Sequence, residues 1–270
     1  MATDKQVRRH KSLFISDVHL GTRGCKAEAL LEFLDHHDGE VIYLVGDIVD
    51  GWRLRRRWYW PAAHAKVITR IRQLAAEGRR VVYIPGNHDD FLRGFYGVHL
   101  EGIEVAEQAI HETVTGKRYL VTHGDQFDVV VMNARWLALV GDVAYTTALG
   151  LNTFINRFGS ALGLPYWSLS SWCKLKVKKA VNFIGRFEEA LVGLARADGL
   201  DGVICGHIHH AAQRRFEEVH YINTGDWVES CTAVTESYEG TFEVIRWVEQ
   251  QTKARTSRVQ EQASGEAVTA

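Results

Sequence analysis

Two pairs of residues stand out for their spacing: Asp17 with His19, written Asp-x-His, and His207 with His209, written His-x-His. Between them the chain carries Asp47 and Asp50 in GDIVD, Asn87 and His88 in GNHD, and His123 in THGD. The donors are carboxylate and amide oxygens and imidazole nitrogens, with no thiolate among them. Such a set suits Mn²⁺, Fe²⁺, Zn²⁺ or Co²⁺ better than Ca²⁺ or a structural zinc. Each motif alone has a plainer reading. Asp-x-His can be a helix-capping aspartate followed by a surface histidine, His-x-His a solvated turn, and GNHD a tight turn favoured by Asn and Gly.

The segments that carry these residues share one layout. SLFIS precedes Asp17, VIYLVG precedes Asp47, VVYIPG precedes Asn87, RYLVT precedes His123 and GVICG precedes His207. Short runs rich in Val, Ile and Tyr read as strands buried on both faces. Residues two apart on a strand share a face, so Asp17 and His19 are expected to point the same way, as are His207 and His209. Helical periodicity covers Lys26 to His37 and Ala62 to Glu77, the latter closed by Gly78. The βαβα alternation predicts an α/β sandwich built on mostly parallel strands, and ligands of such sheets collect beyond the carboxyl ends of the strands. Five loops are thereby expected to converge on one site.

Residues 129–196 read instead as a helical insertion, with Gly163-Leu164-Pro165 as the break between helices. Strands return in VHYINTG and in CTAVTESYEGTFEVIRWVE, where Glu239-Gly240 reads as a hairpin turn. The sheet domain is thus expected over residues 11–249, and the unpatterned residues 250–270 as a disordered tail.

In order and in spacing these motifs resemble the calcineurin-like metallophosphoesterases, whose pattern is DxH, GDxxD, GNH[DE], H and GHxH. The resemblance covers roughly Leu13 to Trp247. It implies a four-layer αββα sandwich with a lid-like helical insertion and a dinuclear centre at the strand ends. It further implies that Asp17, His19, Asp47 and His209 hold one cation and that Asp47, Asn87, His123 and His207 hold the other, with Asp47 bridging. Two divalent cations follow, Mn²⁺ first and Zn²⁺ or Fe²⁺ as alternatives. By the same resemblance His88 faces the substrate as a charge stabiliser or proton donor, and Asp50 fixes its orientation; a helix N-cap is the other reading of Asp50.

Within that family the chain is similar to the UDP-2,3-diacylglucosamine diphosphatases, through DVHLG, GDIVDGW, the insertion and GDWVES. That similarity implies hydrolysis of the pyrophosphate of a lipid-linked nucleotide sugar to UMP and a lipid 1-phosphate for lipid A assembly. The chain differs from them at His88, where they carry arginine, and in Gln126-Phe127-Asp128, where they carry a cysteine-containing stretch. It therefore reads as a related branch. A soluble nucleotide or cyclic-nucleotide phosphodiesterase is the alternative enzyme, and a metal-free interaction module the alternative from another class.

The stretch after Asp50 places Arg53, Arg56 and Arg57 beside Trp58 and Trp60, a combination that suits an anionic head group or a nucleobase. Trp136 in the insertion is a further candidate contact. A solvated arginine face with core tryptophans is the plainer alternative. Asp226 and Glu229 in GDWVES either support the distal histidines or form a turn. The basic amphipathic stretch from Lys174 to Arg186 suits contact with a membrane surface, or an ordinary lysine-bearing helix face.

The rest of the composition narrows the field. Of the 270 residues 46% are hydrophobic, enough for a sizeable core, and the formal net charge of −1 gives no global field for nucleic acid. Four scattered cysteines without a CxxC pair argue against a disulfide framework. The polar start MATDKQVRRHKS lacks an apolar h-region, and no window reaches the ~18 uncharged apolar residues of a spanning helix. The expected location is the cytoplasm, with the inner face of the cytoplasmic membrane as the peripheral alternative; oligomeric state is not encoded in any motif.

Overall fold

The structure, a computed structural model, describes residues 7–127 and 169–252. The chain divides into two compact units, Met1–Asp125 with Leu194–Ala270, and Gln126–Gly193. In chain order the elements are β1 (Arg8–Ile15), α1 (Ala27–His36), β2 (His37–Val45), α2 (Gly51–Arg56), α3 (Ala62–Ala76) and β3 (Arg80–Ile84). A 3-10 segment over Asp90–Phe95 leads to β4 (His99–Leu100), β5 (Ile103–Val105), β6 (Ala109–Glu112) and β7 (Arg118–Val121). After α4 (Leu169–Ala197) come β8 (Gly202–Cys205), β9 (Ala212–Phe216), β10 (Val219–Asn223), β11 (Thr232–Glu236) and β12 (Phe242–Arg246). Of the expected insertion only the part within α4 is described; Trp136, the Gly163–Pro165 break and the tail from residue 253 lie outside the described residues.

The strands form two sheets, β12-β11-β1-β2-β3-β5-β4 and β6-β7-β8-β10-β9. Their alternation explains why the runs looked apolar throughout. Leu13, Ile15, Ile42, Leu44 and Val81 face α1 and α3, which present Leu30, Phe33, Leu34 and Val67, Ile71, Leu74 at helical spacing. Phe14, Tyr43, Val45, Val82 and Ile84, one residue out of step, face Tyr119, Val121, Ile204 and Ile222 of the smaller sheet. Both faces of the larger sheet are therefore core, and a one-residue slip would exchange two complete sets of contacts.

The expectation of mostly parallel strands needs correcting. Five of the ten pairings are parallel and form the sheet centres, while five are antiparallel and sit towards the edges. The edge strands β4, β6 and β9, and β5 next to β4, are short and partly exposed, so no apolar run announces them. The parallel centre is what matters for the site. Ile15 lies beside Leu44, Val45 beside Ile84, and Val121 beside Ile204, so β1, β2, β3, β7 and β8 end together within each sheet. Among the described residues no helix is long and apolar enough to cross a membrane, and Cys25, Cys205 and Cys231 are buried and form no disulfide.

Candidate metal centre

The residues that leave those strand ends have unusual backbone conformations. Asp17, His19, Asp47, His207 and His209 have φ of 52°, 54°, 54°, 72° and 51°, in the left-handed region that costs a non-glycine residue conformational energy. This corrects the expected geometry of both spaced pairs. The strands stop at Ile15 and Cys205, and left-handed turns, not strand alternation, bring Asp17 to His19 and His207 to His209.

Backbone bonds lash these turns together. The Asp17 and His19 N–H groups donate to the Gly46 and Asp47 carbonyls at 3.0 and 2.9 Å, and Asp50 N–H donates back to Leu20 at 2.8 Å. Asp17 Oδ2 accepts from His207 N–H at 2.9 Å, joining the two sheets, and Asp47 Oδ1 accepts from His88 N–H at 2.8 Å. Glycines make room for this. A Cβ on Gly46 would strike the His123 ring, one on Gly86 would strike Asp47 and His123, and one on Gly206 would meet Asp17 Oδ2 at 2.5 Å.

The outcome is a compact cluster. His209 Nε2 is 3.2 Å and His123 Nε2 3.6 Å from Asp17 Oδ1, while Asp47 Oδ2 is 3.8 Å from His19 Nε2 and 3.7 Å from His123 Nε2. Three groups have ligand atoms within 4.8 Å of one another: Asp17, His19 and His209; His19, Asp47 and His88; Asp47, His123 and His207. Several of these ligand atoms lack a hydrogen bond. Asp17 Oδ1, His123 Nε2 and both polar atoms of the Asn87 amide are buried and make no hydrogen bond. An orphaned buried polar atom costs about 1–3 kcal/mol, so four in one cluster point to a group that satisfies them. An oxygen and nitrogen donor set of this size fits divalent cations.

Electrostatics follow from the same contacts. Burial would raise the Asp17 carboxyl, but the His123 and His209 rings outweigh it and hold its pKa well below the carboxylate range. Burial would lower His123, yet Asp47, Asp125 and Asp17 raise it well above an ordinary histidine; His209 is raised the same way by Asp17. Cation binding there exchanges against protons and weakens in acid.

Asp50 contacts both the helix it precedes and two histidine rings. Its Oδ1 caps α2 by accepting from Arg53 N–H at 2.8 Å and also lies 3.1 Å from His88 Nδ1, while Oδ2 is 3.5 Å from His19 Nδ1. Those imidazoles, together with the Arg53 amide, outweigh burial and hold the Asp50 carboxyl low. The crowding in Trp58-Tyr59-Trp60 is resolved by division. Trp60 packs on the core and edge-on to His64, leaving Trp58 74% exposed. Arg53, Arg56 and Arg57 are exposed on the turn of α2 and just beyond it. Asp226 takes the turn reading, its Oδ1 accepting from the N–H groups of Val228 and Glu229.

Three further residues make contacts at the cluster that their motifs do not show. Trp52 stacks at a tilt on His88, 4.5 Å between ring centroids. Asp89, fully buried, accepts from Gly86 N–H, Ile48 N–H and Tyr83 O–H at 2.5, 2.8 and 2.6 Å and so pins the Asp47 loop to the Asn87 loop. Asp125 faces His123 Nδ1 at 3.1 Å. Their motifs were visible, as the last residues of GNHD and THGD and of GDIVDGW, but Trp52 meets His88 and Asp89 meets Ile48 across the fold, pairings that spacing does not reveal.

The family described as calcineurin-like phosphoesterase matches residues 10–211. A UDP-2,3-diacylglucosamine hydrolase of Porphyromonas gingivalis is 30% identical over 126 residues, 44% of this chain and 47% of that protein. The DNA polymerase II small subunit of Methanothermobacter thermautotrophicus is 25% identical over 252 residues, 78% of this chain and 46% of that protein. The chain spans about half the length of these curated relatives. Among solved structures, an archaeal phosphodiesterase superposes with a TM-score of 0.42 at 14% identity, covering 87% of this chain and 98% of its own.

Proposed function

The chain belongs to the calcineurin-like phosphoesterase family, and from that premise we propose that it is a metal-dependent phosphoester hydrolase acting on the pyrophosphate of a lipid-linked nucleotide sugar. The observation that carries the hydrolase reading is the set of orphaned buried donors on Asp17, Asn87 and His123. Asp17, His19, Asp47 and His209 would hold one divalent cation, and Asp47, Asn87, His123 and His207 a second. Mn²⁺ suits these hard-to-borderline donors, with Zn²⁺ and Fe²⁺ as the alternatives that metal loading would reveal. The chemistry that such a pair supplies is Lewis acidity towards a phosphoryl oxygen and a lowered pKa for water.

The chain's own groups do the rest. His88 keeps Nδ1 on Asp50, 3.1 Å away, which fixes the ring and leaves Nε2, 3.9 Å from Asp47 Oδ2, to face the cluster. In its doubly protonated form, with Nδ1–H on Asp50, the ring can donate from Nε2 to the phosphoryl group and pass that proton to the departing oxygen as water adds to phosphorus and the bond to that oxygen breaks. Trp52 backs the ring and limits its motion. The lipid-linked substrate is supported by the P. gingivalis relative and by the side chains around α2, where exposed Arg53, Arg56 and Arg57 suit phosphate oxygens and exposed Trp58 suits a flat or apolar group.

Phosphorus NMR tests both levels. With Mn²⁺ present, UDP-2,3-diacylglucosamine should yield UMP and a lipid 1-phosphate, while UDP-N-acetylglucosamine and a cyclic nucleotide stay intact. Cleavage of the water-soluble compounds alone would replace the lipid substrate with a soluble phosphodiester. No turnover of any of them with Mn²⁺, Zn²⁺ or Fe²⁺ would overturn the hydrolase itself.

A further inference from the structure

Arg93, Asp125 and His123 form a line from the surface into the centre. Arg93 stands on the 3-10 segment Asp90–Phe95 with its side chain 40% exposed, and its Nη2 donates to Asp125 Oδ2 at 2.5 Å. The other Asp125 oxygen lies 3.1 Å from His123 Nδ1. Gly124, at φ 105°, folds the chain back so that a carboxylate two residues on can reach that ring. On the far side of the imidazole, Nε2 makes no hydrogen bond and sits 3.6 Å from Asp17 Oδ1 and 3.7 Å from Asp47 Oδ2.

The two ring nitrogens are thus in different surroundings. A carboxylate on one nitrogen keeps the proton there and presents the lone pair of the other, which fixes both the tautomer and the ring plane of a ligating histidine. We propose that Asp125 is a positioning residue for the second cation, holding His123 with Nε2 aimed at the cluster, and that Arg93 clamps Asp125 in that role. Neither residue is among the candidate ligands. The guanidinium occupies the outer carboxylate oxygen, so the inner one stays on His123 and the carboxylate cannot swing out to water. Arg93 comes from the segment that follows the Asn87 loop, so two of the second cation's ligands, Asn87 and His123, depend on one stretch of chain. This inference rests on the dinuclear reading above.

The test is Mn²⁺ titration followed by electron paramagnetic resonance, which counts free ion, on native protein and on Asp125→Ala, Asp125→Asn, Arg93→Ala and Arg93→Lys. Native protein should bind two ions. Asp125→Ala should weaken one of the two by about 10–100-fold and spare the other. Arg93→Ala should weaken the same ion by several-fold, and Arg93→Lys and Asp125→Asn should recover part of each loss. In zinc-loaded protein labelled with nitrogen-15 in histidine, native His123 should coordinate through Nε2 and keep a proton on Nδ1, a signature that Asp125→Ala loses. Two ions bound with native affinity in both alanine variants would overturn the proposal while leaving the dinuclear reading intact. Equal weakening of both ions together with a lower melting temperature would overturn it in favour of a purely structural role. Native protein that binds no ion would remove the dinuclear reading and this inference with it.

Discussion

The two ends of the parallel strands treat the same side chain in opposite ways. At the carboxyl ends His123 and His209 are buried against Asp17 and Asp47, and their pKa values rise despite burial. At the amino ends His37, at the start of β2, stacks on His10 and on Phe33, and burial pushes it down to about 3. His220, at the start of β10, meets Tyr119 O–H at 2.9 Å and is pushed down to about 4. Carboxylates raise the pKa values of one set; the other stays neutral and hydrogen-bonded. Histidine content is therefore no guide to the site. Carboxylate neighbours and left-handed backbone are what set the functional end apart.

The difference can be broken first at Asp47, which lies within 4 Å of His19, His88 and His123. Asp47→Ala should cut turnover by roughly 10³-fold or more and abolish paired cation loading, read by steady-state rates and elemental analysis; retained turnover would refute the shared-carboxylate role. His88→Ala sharpens the contrast within the functional end. It should cost about 10²-fold in turnover with cation content unchanged, since His88 serves the substrate side. Asp89→Ala removes an acceptor from three buried donors and should cost about 2 kcal/mol, seen as a shift in urea midpoint.

The smallest effect concerns pH. His37 and His220 titrate lower folded than unfolded, so the unfolded chain takes up protons first as pH falls below about 6.5. Their contribution is complete above that value and is lost as pH drops towards 4. His123 and His209 have raised values in cation-free protein, so they act with the opposite sign, stabilising below about 6.5 and fading as pH rises through their folded values. His37→Gln with His220→Gln should therefore flatten the loss of stability between pH 6.5 and 4, measured by urea unfolding at each pH. An unchanged slope would mean these rings are not the neutral set.

Legibility in the sequence followed the same division. The central strands were readable because both of their faces are core, so Val, Ile and Tyr run without interruption from Ile42 to Val45 and from Val81 to Ile84. The edge strand β9, AQRRF, was not, because one polar side faces water and apolar periodicity vanishes. The seven candidate cation ligands were legible through their motifs, and all seven lie at the strand ends. Their local geometry was not, since left-handed φ at Asp17 or His209 is fixed by bonds to Gly46 and Asp47 or by distant turns that no spacing rule encodes. Asp89, Asp125 and Trp52 were hidden for a related reason. Trp52 meets His88, and Asp89 meets Ile48 41 residues before it, only through tertiary structure, while Asp125, two residues from His123, is held by Arg93, 32 residues before it.

The most direct test of the account is a crystal of the protein soaked in Mn²⁺ and measured for anomalous scattering. Two peaks should appear, one among Asp17, His19, Asp47 and His209 and the other among Asp47, Asn87, His123 and His207. No peak there, or peaks at the His10–His37 end instead, would contradict it.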